Sequence, residues 1–353
     1  MAAEAWSHPA LEDARDLLRW QPPLGVLSIY LKIDPGDRGD GWRTELRNGL
    51  AEVLGAAEGA AHEMRVALRS TVERVAQRLS DREQIELPRG EVGFVEVARK
   101  GGAERWWATH LEPRSGSSAH LARRPVVAPL LSLAARGRPR GVVLVSAERV
   151  RLLEWRPGHL EPLEDRGPES LHSHGAGSDG RSQHEERLAE NRHRFLCECG
   201  VLAARAAQDR GWGEVVAFSP PQQLGHFQRG FDSSVAAELA VGAEVDLIGE
   251  PVGRLLAAVE AAIERREPAR ELGLVEGVLE AARGGGRGVT GDDGAVAALE
   301  QGRVEHLVID DEVAADSEDL VAGALETGAA ISPVSGDAAD LLAPTGVAAL
   351  LRY

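Results

Sequence analysis

The chain has 353 residues and is 43% hydrophobic, which is enough for a sizeable core and excludes wholesale disorder. A formal net charge of −16 excludes blanket binding to nucleic acid. The two cysteines, Cys197 and Cys199, exclude a disulfide framework, because residues two apart on a helix point to different faces.

The opening "MAAEAWSHPALEDARDLLRW" has no basic leader ahead of an apolar core. No run is long and apolar enough to span a membrane, and the lack of a disulfide framework makes a reducing cytoplasm the expected location. "PLGVLSIYLKID" predicts a buried strand ended by the turn "DPGDRGD". A helical region is predicted from about Trp42 to Leu79, with Leu46, Leu50 and Val53 at helical spacing and Gly49 and Gly55 as weak points. "EVGFVEVARKGGAERWWATHL" predicts two strands joined at Lys100-Gly101-Gly102.

"RGRPRG" marks a boundary. "GVVLVSAERVRLLEWRPGHLEPLE" then predicts a strand, a turn and a second strand, with "RPGH" as another turn. "DRGPESLHSHGAGSDGRSQ" is polar and glycine-rich and is expected to be an exposed, mobile loop. The helix after it, from His184 to about Asp209, lines up Leu188, Phe195, Cys199, Leu202 and Ala206. "EVVAFSP" predicts a strand and "EPVGRLLAAVEAAIERRE" a helix. "REPARELG" is the second boundary. Two helix-to-strand units follow, with Gly302 and Gly328 as helix stops, and "GVAALLRY" closes the chain as a strand. These breaks give segments 1–137, 138–267 and 268–353.

Charge is unevenly placed. Glu271 to Tyr353 holds 16 acidic and 4 basic residues, while Arg114 to Arg151 holds eight arginines and one acid, Glu148. A local basic stretch of that kind can hold phosphates.

"ALEQGRVEHLVIDDE", "ALETGAAISPVS" and "GVAALLRY" resemble the C-terminal domain of the archaeal and eukaryotic class-I release factors and of Pelota. In the middle, release factors place a Gly-Gly-Gln loop before a helix with an Arg-His pair. Here Gln183 precedes a helix with Arg192 and His193. "SIYLKIDPGDRGD" resembles the first strand of the bacterial branch. Two departures bear on activity. The residues before the Gln are Gly180-Arg181-Ser182, which fits the looser Gly-x-x-Gln pattern of the peptidyl-tRNA hydrolase branch, and no stop-codon-reading motif occurs in residues 1–135.

The resemblance implies an α/β protein with a three-domain release-factor-like architecture, each domain a mixed sheet with packed helices. It implies ribosomal RNA and tRNA as partners, a translation GTPase on the acidic third domain, no membrane, no DNA and no cofactor. It also implies hydrolysis of peptidyl-tRNA on stalled ribosomes or large subunits, with Gln183 at a loop tip and Gly180 shaping it. A non-catalytic ribosome-binding rescue or hibernation factor is the alternative. A stand-alone RNA-binding protein is a third.

The chemistry suits these residue types. Ester hydrolysis needs one placed water and donors for the growing oxyanion. Glutamine donates and accepts without ionising, and nearby glycine lets the backbone turn. The bland alternative for Gln183 is an ordinary residue at a helix start. Arg181, Arg187, Arg192, His193 and Arg194 are the candidate RNA contacts. The alternative for the arginines is i,i+4 pairing through Glu186, Glu190 and Arg194, and for His193 it is helix packing. His172, His174 and His184 lack the accompanying carboxylates or cysteines of a metal site. "GGGRG" at Gly284–Gly288 is a connector rather than a phosphate loop, and no nucleophile elbow is present.

Overall fold

The computed structural model describes residues 9–34, 41–80, 88–114, 116–167, 181–231, 235–284, 286–314 and 317–353, with 181–186 as backbone alone. The chain forms two compact units. One comprises residues 1–137 and 268–353, the other 138–267.

The first unit begins with α1 (Leu11–Leu18), β1 (Val26–Lys32), α2 (Gly41–Ala56), α3 (His62–Ser80), β2 (Gly90–Glu96), β3 (Glu104–Thr109), β4 (Ser118–Ala122) and α4 (Ala128–Arg136). The sheet order is β3-β2-β1-β4, and every pairing is antiparallel. A mixed sheet was the expectation for this segment. One crossover helix returns the chain to run parallel, whereas the two helices between β1 and β2 deliver it at the opposite end. The helical region breaks at residues 57–61 rather than at Gly49 or Gly55. There Arg65 donates to the Ala60 carbonyl at 2.6 Å, satisfying an acceptor in the segment between α2 and α3. Gly49 lies inside α2 beside β4, where an added Cβ would make ordinary contact with Ala119 at 3.5 Å. The β2–β3 turn uses Gly101 and Gly102 at φ +64° and +108°.

β1 is buried along Val26–Leu31 because both faces are covered. Leu27, Ile29 and Leu31 join the core under α2 and α3, while Val26 and Tyr30 join a second core with α1 and α4. That second core also contains Leu299, Leu307 and Val321 from the end of the chain.

The second unit holds β5 (Arg140–Val145), β6 (Val150–Arg156), β7 (His159–Arg166), α5 (Arg181–Arg210), β8 (Glu214–Phe218), α6 (Pro221–Gly230), β9 (Glu238–Ala243) and the start of α7 (Val252–Arg283). Its sheet runs β7-β6-β5-β8-β9, with β5, β8 and β9 parallel and β6 and β7 antiparallel. Strand residues alternate between the faces. Val143, Val145, Val215 and Ala217 pack under α5 and α6, and Val142, Leu144, Val216 and Phe218 pack under α7. The helix expected to stop at "REPARELG" continues through Pro268 to Arg283.

The chain ends, again in the first unit, with β10 (Gly288–Thr290), α8 (Asp292–Glu300), β11 (Val304–Asp310), α9 (Asp311–Ala314), α10 (Glu318–Glu326), β12 (Ala330–Val334), α11 (Asp337–Asp340) and β13 (Val347–Leu351). The sheet order is β10-β13-β11-β12, mixed, with only β11–β12 parallel. Gly302 and Gly328 adopt the left-handed conformation after α8 and α10, at φ +65° and +69°. Among the described residues no helix is long and apolar enough to cross a membrane.

Candidate functional site

The candidate residues lie on or beside α5, whose two ends differ. From Phe195 onward the helix is bound into its unit. Phe195, Leu196, Cys199, Ala203, Ala204 and Ala207 are buried in the core shared with α6. The crossing with α6 is set by glycine. An added Cβ at Gly200 would lie 2.2 Å from the Phe227 carbonyl oxygen, and one at Gly230 would lie 1.9 Å from that of Cys197. No other residue type permits the two backbones to come so close.

The C-terminal end of α5 is tied to β6 through Glu154, which is 2% exposed. Its carboxylate accepts from Trp212 Nε1 at 2.9 Å, Arg210 at 3.0 Å and Arg156 at 2.9 Å. Burial pushes this carboxyl up, and the three donors outweigh it and hold it below the usual glutamate range.

The N-terminal end is different. Arg187, Leu188, Ala189 and Glu190 are consecutive and all exposed, so no face of that turn is covered. Leu188 is 45% exposed, against the expectation that it shares a buried stripe with Phe195. Residues 181–195 correspond to about 21 Å of helix at 1.5 Å per residue.

The sequence-derived residues fall as follows. Arg181 and Gln183 are in the first turn of α5, which begins three residues earlier than expected. Their side chains, like that of His184, are outside what is described. Gly180, His172 and His174 lie outside the described residues, as does most of the expected loop. Arg187 and Arg194 are exposed. Arg192 pairs with Glu148, in the β5–β6 turn, at 3.6 Å. His193 Nδ1 is 2.8 Å from His226 Nδ1 on α6, and Cys197 Sγ donates to the His226 carbonyl at 3.2 Å. Burial first, then His193 and Arg229, push the His226 imidazole below its ordinary pKa.

His226 was not singled out in the sequence, because α6 was not. The available signal was Pro220-Pro221, since proline at the first helical position favours a helix start. The basic stretch is largely spent on structure. Arg140 is buried between Glu214 and Glu267 at 3.2 and 3.1 Å, with its guanidinium over the Trp155 ring. Arg149 makes two 2.8 Å bonds to Asp165, and Arg151 donates to the Ile248 carbonyl at 3.2 Å. In the first unit, Arg114 pairs with Glu271 and Arg136 donates to the Glu112 carbonyl. Among the described residues no group of three or more His, Cys, Asp or Glu is arranged to hold a metal ion.

Residues 125–264 match the family model for bacterial archaeo-eukaryotic release factor family 10. Through this segment, about two fifths of its length, the chain is similar to that family. The release-factor match spans all of α5 and α6, and so every candidate above. Several solved structures match the chain at low identity. An archaeal translation termination factor shares 20% identity over 96% of both chains, with a TM-score of 0.27. A Saccharomyces cerevisiae translation termination-like factor, described as involved in RNA quality control pathways, shares 11% over 75% of this chain and 79% of its own, with a TM-score of 0.42. Pelota of Archaeoglobus fulgidus shares 16% over the same proportions, with a TM-score of 0.35. No curated protein matches the chain.

Proposed function

We propose that the protein is a ribosome-associated, release-factor-like hydrolase that cleaves the ester of peptidyl-tRNA on stalled ribosomes or large subunits. The observation that carries this reading is the position of Gln183. It is the third residue of α5, just ahead of a turn that is exposed on every side, within the segment that matches the release-factor family.

A helix start beside an exposed turn suits an ester held inside a large ribonucleoprotein. The first four N–H groups of a helix lack intrahelical acceptors, and the macrodipole adds about half a positive charge there. Water attacks the ester carbonyl, whose oxygen gains negative charge, and the ribose oxygen leaves and takes a proton. Donors placed at the helix end favour that charge. The Gln183 amide holds the water by accepting from it, and Gly180 supplies the turn that aims the end. Arg187 and Arg194, seven apart on one helix face, contact phosphate. Arg192 and His193 already have partners inside the unit, so they position the helix. The acidic segment Glu271–Tyr353 is the proposed dock for a translation GTPase.

A labelled-peptide release assay on isolated large subunits and on stalled ribosomes tests this. Gln183→Ala is expected to keep ribosome co-sedimentation and to slow release by about 10²–10³. Wild-type protein that binds but releases nothing above background supports the second reading, a non-catalytic rescue or hibernation factor. One feature favours that reading: Arg181 and Ser182 stand in helical backbone where the release factors carry two glycines.

A further inference from the structure

The crossing of α5 and α6 is held at two points of different kind. One is the glycine contact at Gly200 and Gly230, which contains no titratable group. The other lies seven residues earlier on α5 and four earlier on α6, where His193 and His226 meet. Their rings are 4.6 Å apart at 72°, with the two Nδ1 atoms 2.8 Å apart. Imidazole nitrogens at that separation need one proton between them, and only one. One Nδ1–H donates and the other Nδ1 accepts through its bare lone pair. With both rings protonated, both Nδ1 atoms are donors. The hydrogen bond is then lost and two cations are in contact.

The charges around the pair do not rescue the doubly protonated form. On α5, Arg192 is occupied with Glu148 of the β5–β6 turn, and Cys197 lies 3.8–3.9 Å from the His193 ring nitrogens. The Cys197 thiol donates to the His226 carbonyl. On α6, Arg229 repels a second proton. Glu190 and Glu198, on α5 either side of His193, are exposed. Among the described residues neither ring has a carboxylate hydrogen-bond partner. The pair also stands where burial along α5 begins: Phe195 and Leu196 behind it are buried, and Arg187–Glu190 ahead of it are exposed.

We propose that His193 and His226 form a single-proton pin that holds α5 to α6 at the base of its exposed N-terminal part, and that uptake of a second proton releases it. The glycine contact stays closed, so the release is local and the sheet is unaffected. This inference is independent of what the end of α5 touches.

Hydrogen exchange of the full chain, read by mass spectrometry and corrected for the intrinsic pH dependence, tests the pin. Between about pH 8 and about pH 5, either side of the usual histidine pKa, peptides covering residues 187–197 are expected to lose protection at least tenfold. Peptides of β5 and β8 are expected to stay unchanged. His226→Ala should show the low protection at both pH values. His226→Asn should keep the high protection at both, because its amide oxygen accepts from the His193 Nδ1–H whether or not that ring carries a second proton. The proposal is overturned by wild-type protection in residues 187–197 that does not change with pH. It is overturned equally by His226→Ala matching the wild type at about pH 8, or by β5 and β8 losing protection together with α5.

Discussion

Gly230→Ala is expected to damage the second unit far more than Gly225→Ala, although both glycines lie on α6. At Gly230 the new methyl would sit 1.9 Å from the Cys197 carbonyl oxygen and 2.7 Å from its carbon. Carbon and oxygen in contact normally keep about 3.3 Å or more. The obstacle is backbone, so no rotamer change relieves it, and α6 has to shift by about 1 Å against α5. Overpacking of this kind costs about 1–3 kcal/mol. At Gly225 nothing lies within 4 Å of the added methyl. There the helix preference of alanine gains about 0.8–1 kcal/mol. For a unit of about 130 residues, 1 kcal/mol corresponds to a Tm shift of about 3–5 °C. Calorimetry should therefore show one transition lowered by about 3–15 °C in Gly230→Ala and raised by about 2–5 °C in Gly225→Ala. Equal transition temperatures for the two variants would refute the claim that glycine sets the α5–α6 crossing.

Two further outcomes follow from the charges. Asp311 is 6% exposed and its Oδ1 lacks a hydrogen-bond partner. Burial pushes its carboxyl up to about 6, against the pull of Arg114 and Arg136. The folded pKa is above the unfolded one, so this group's contribution to stability is full below about pH 4 and lost as pH rises through about 6. Asp311→Asn should therefore gain about 1–3 kcal/mol over the wild type between about pH 4 and 7. A stability difference that does not vary with pH, in denaturant titrations of the two proteins, would contradict it. Replacing Arg187 and Arg194 by Glu should weaken ribosome co-sedimentation, flatten its dependence on salt, and leave Tm nearly unchanged, since both side chains are exposed. Full binding by that variant would remove α5 from the RNA contact.

Much of the fold was legible because strong local signals coincide with strong tertiary demands. β1 and β5 are short apolar runs buried on both faces, and both read as strands. Gly101, Gly302 and Gly328 stand where the backbone turns left-handed; the first read as a hairpin turn and the other two as helix stops. What stayed hidden has physical causes. β4, "SAHLA", is half-buried throughout and carries one large aliphatic residue, so it shows little alternation. α6 opens on two prolines, which look like a loop until proline's tolerance at the first helical position is weighed. α7 runs through Pro268, which argues locally for a stop.

The site was less legible, because the buried side of α5 is built from small residues. Periodicity weights Leu188 and Leu202 over Gly200, Ala203 and Ala207. Yet an alanine or glycine stripe permits the close crossing, and a leucine stripe forbids it. From the sequence, His193 read as an RNA contact or as a helix-packing residue with no partner named. The crossing turns it inward onto His226, a residue 33 positions away. Once the crossing is fixed by Gly200 and Gly230, the positions one and two turns nearer the exposed end of α5 must also face α6. Two histidines brought into contact there, with their Nδ1 atoms 2.8 Å apart, share a hydrogen bond only while one proton lies between them.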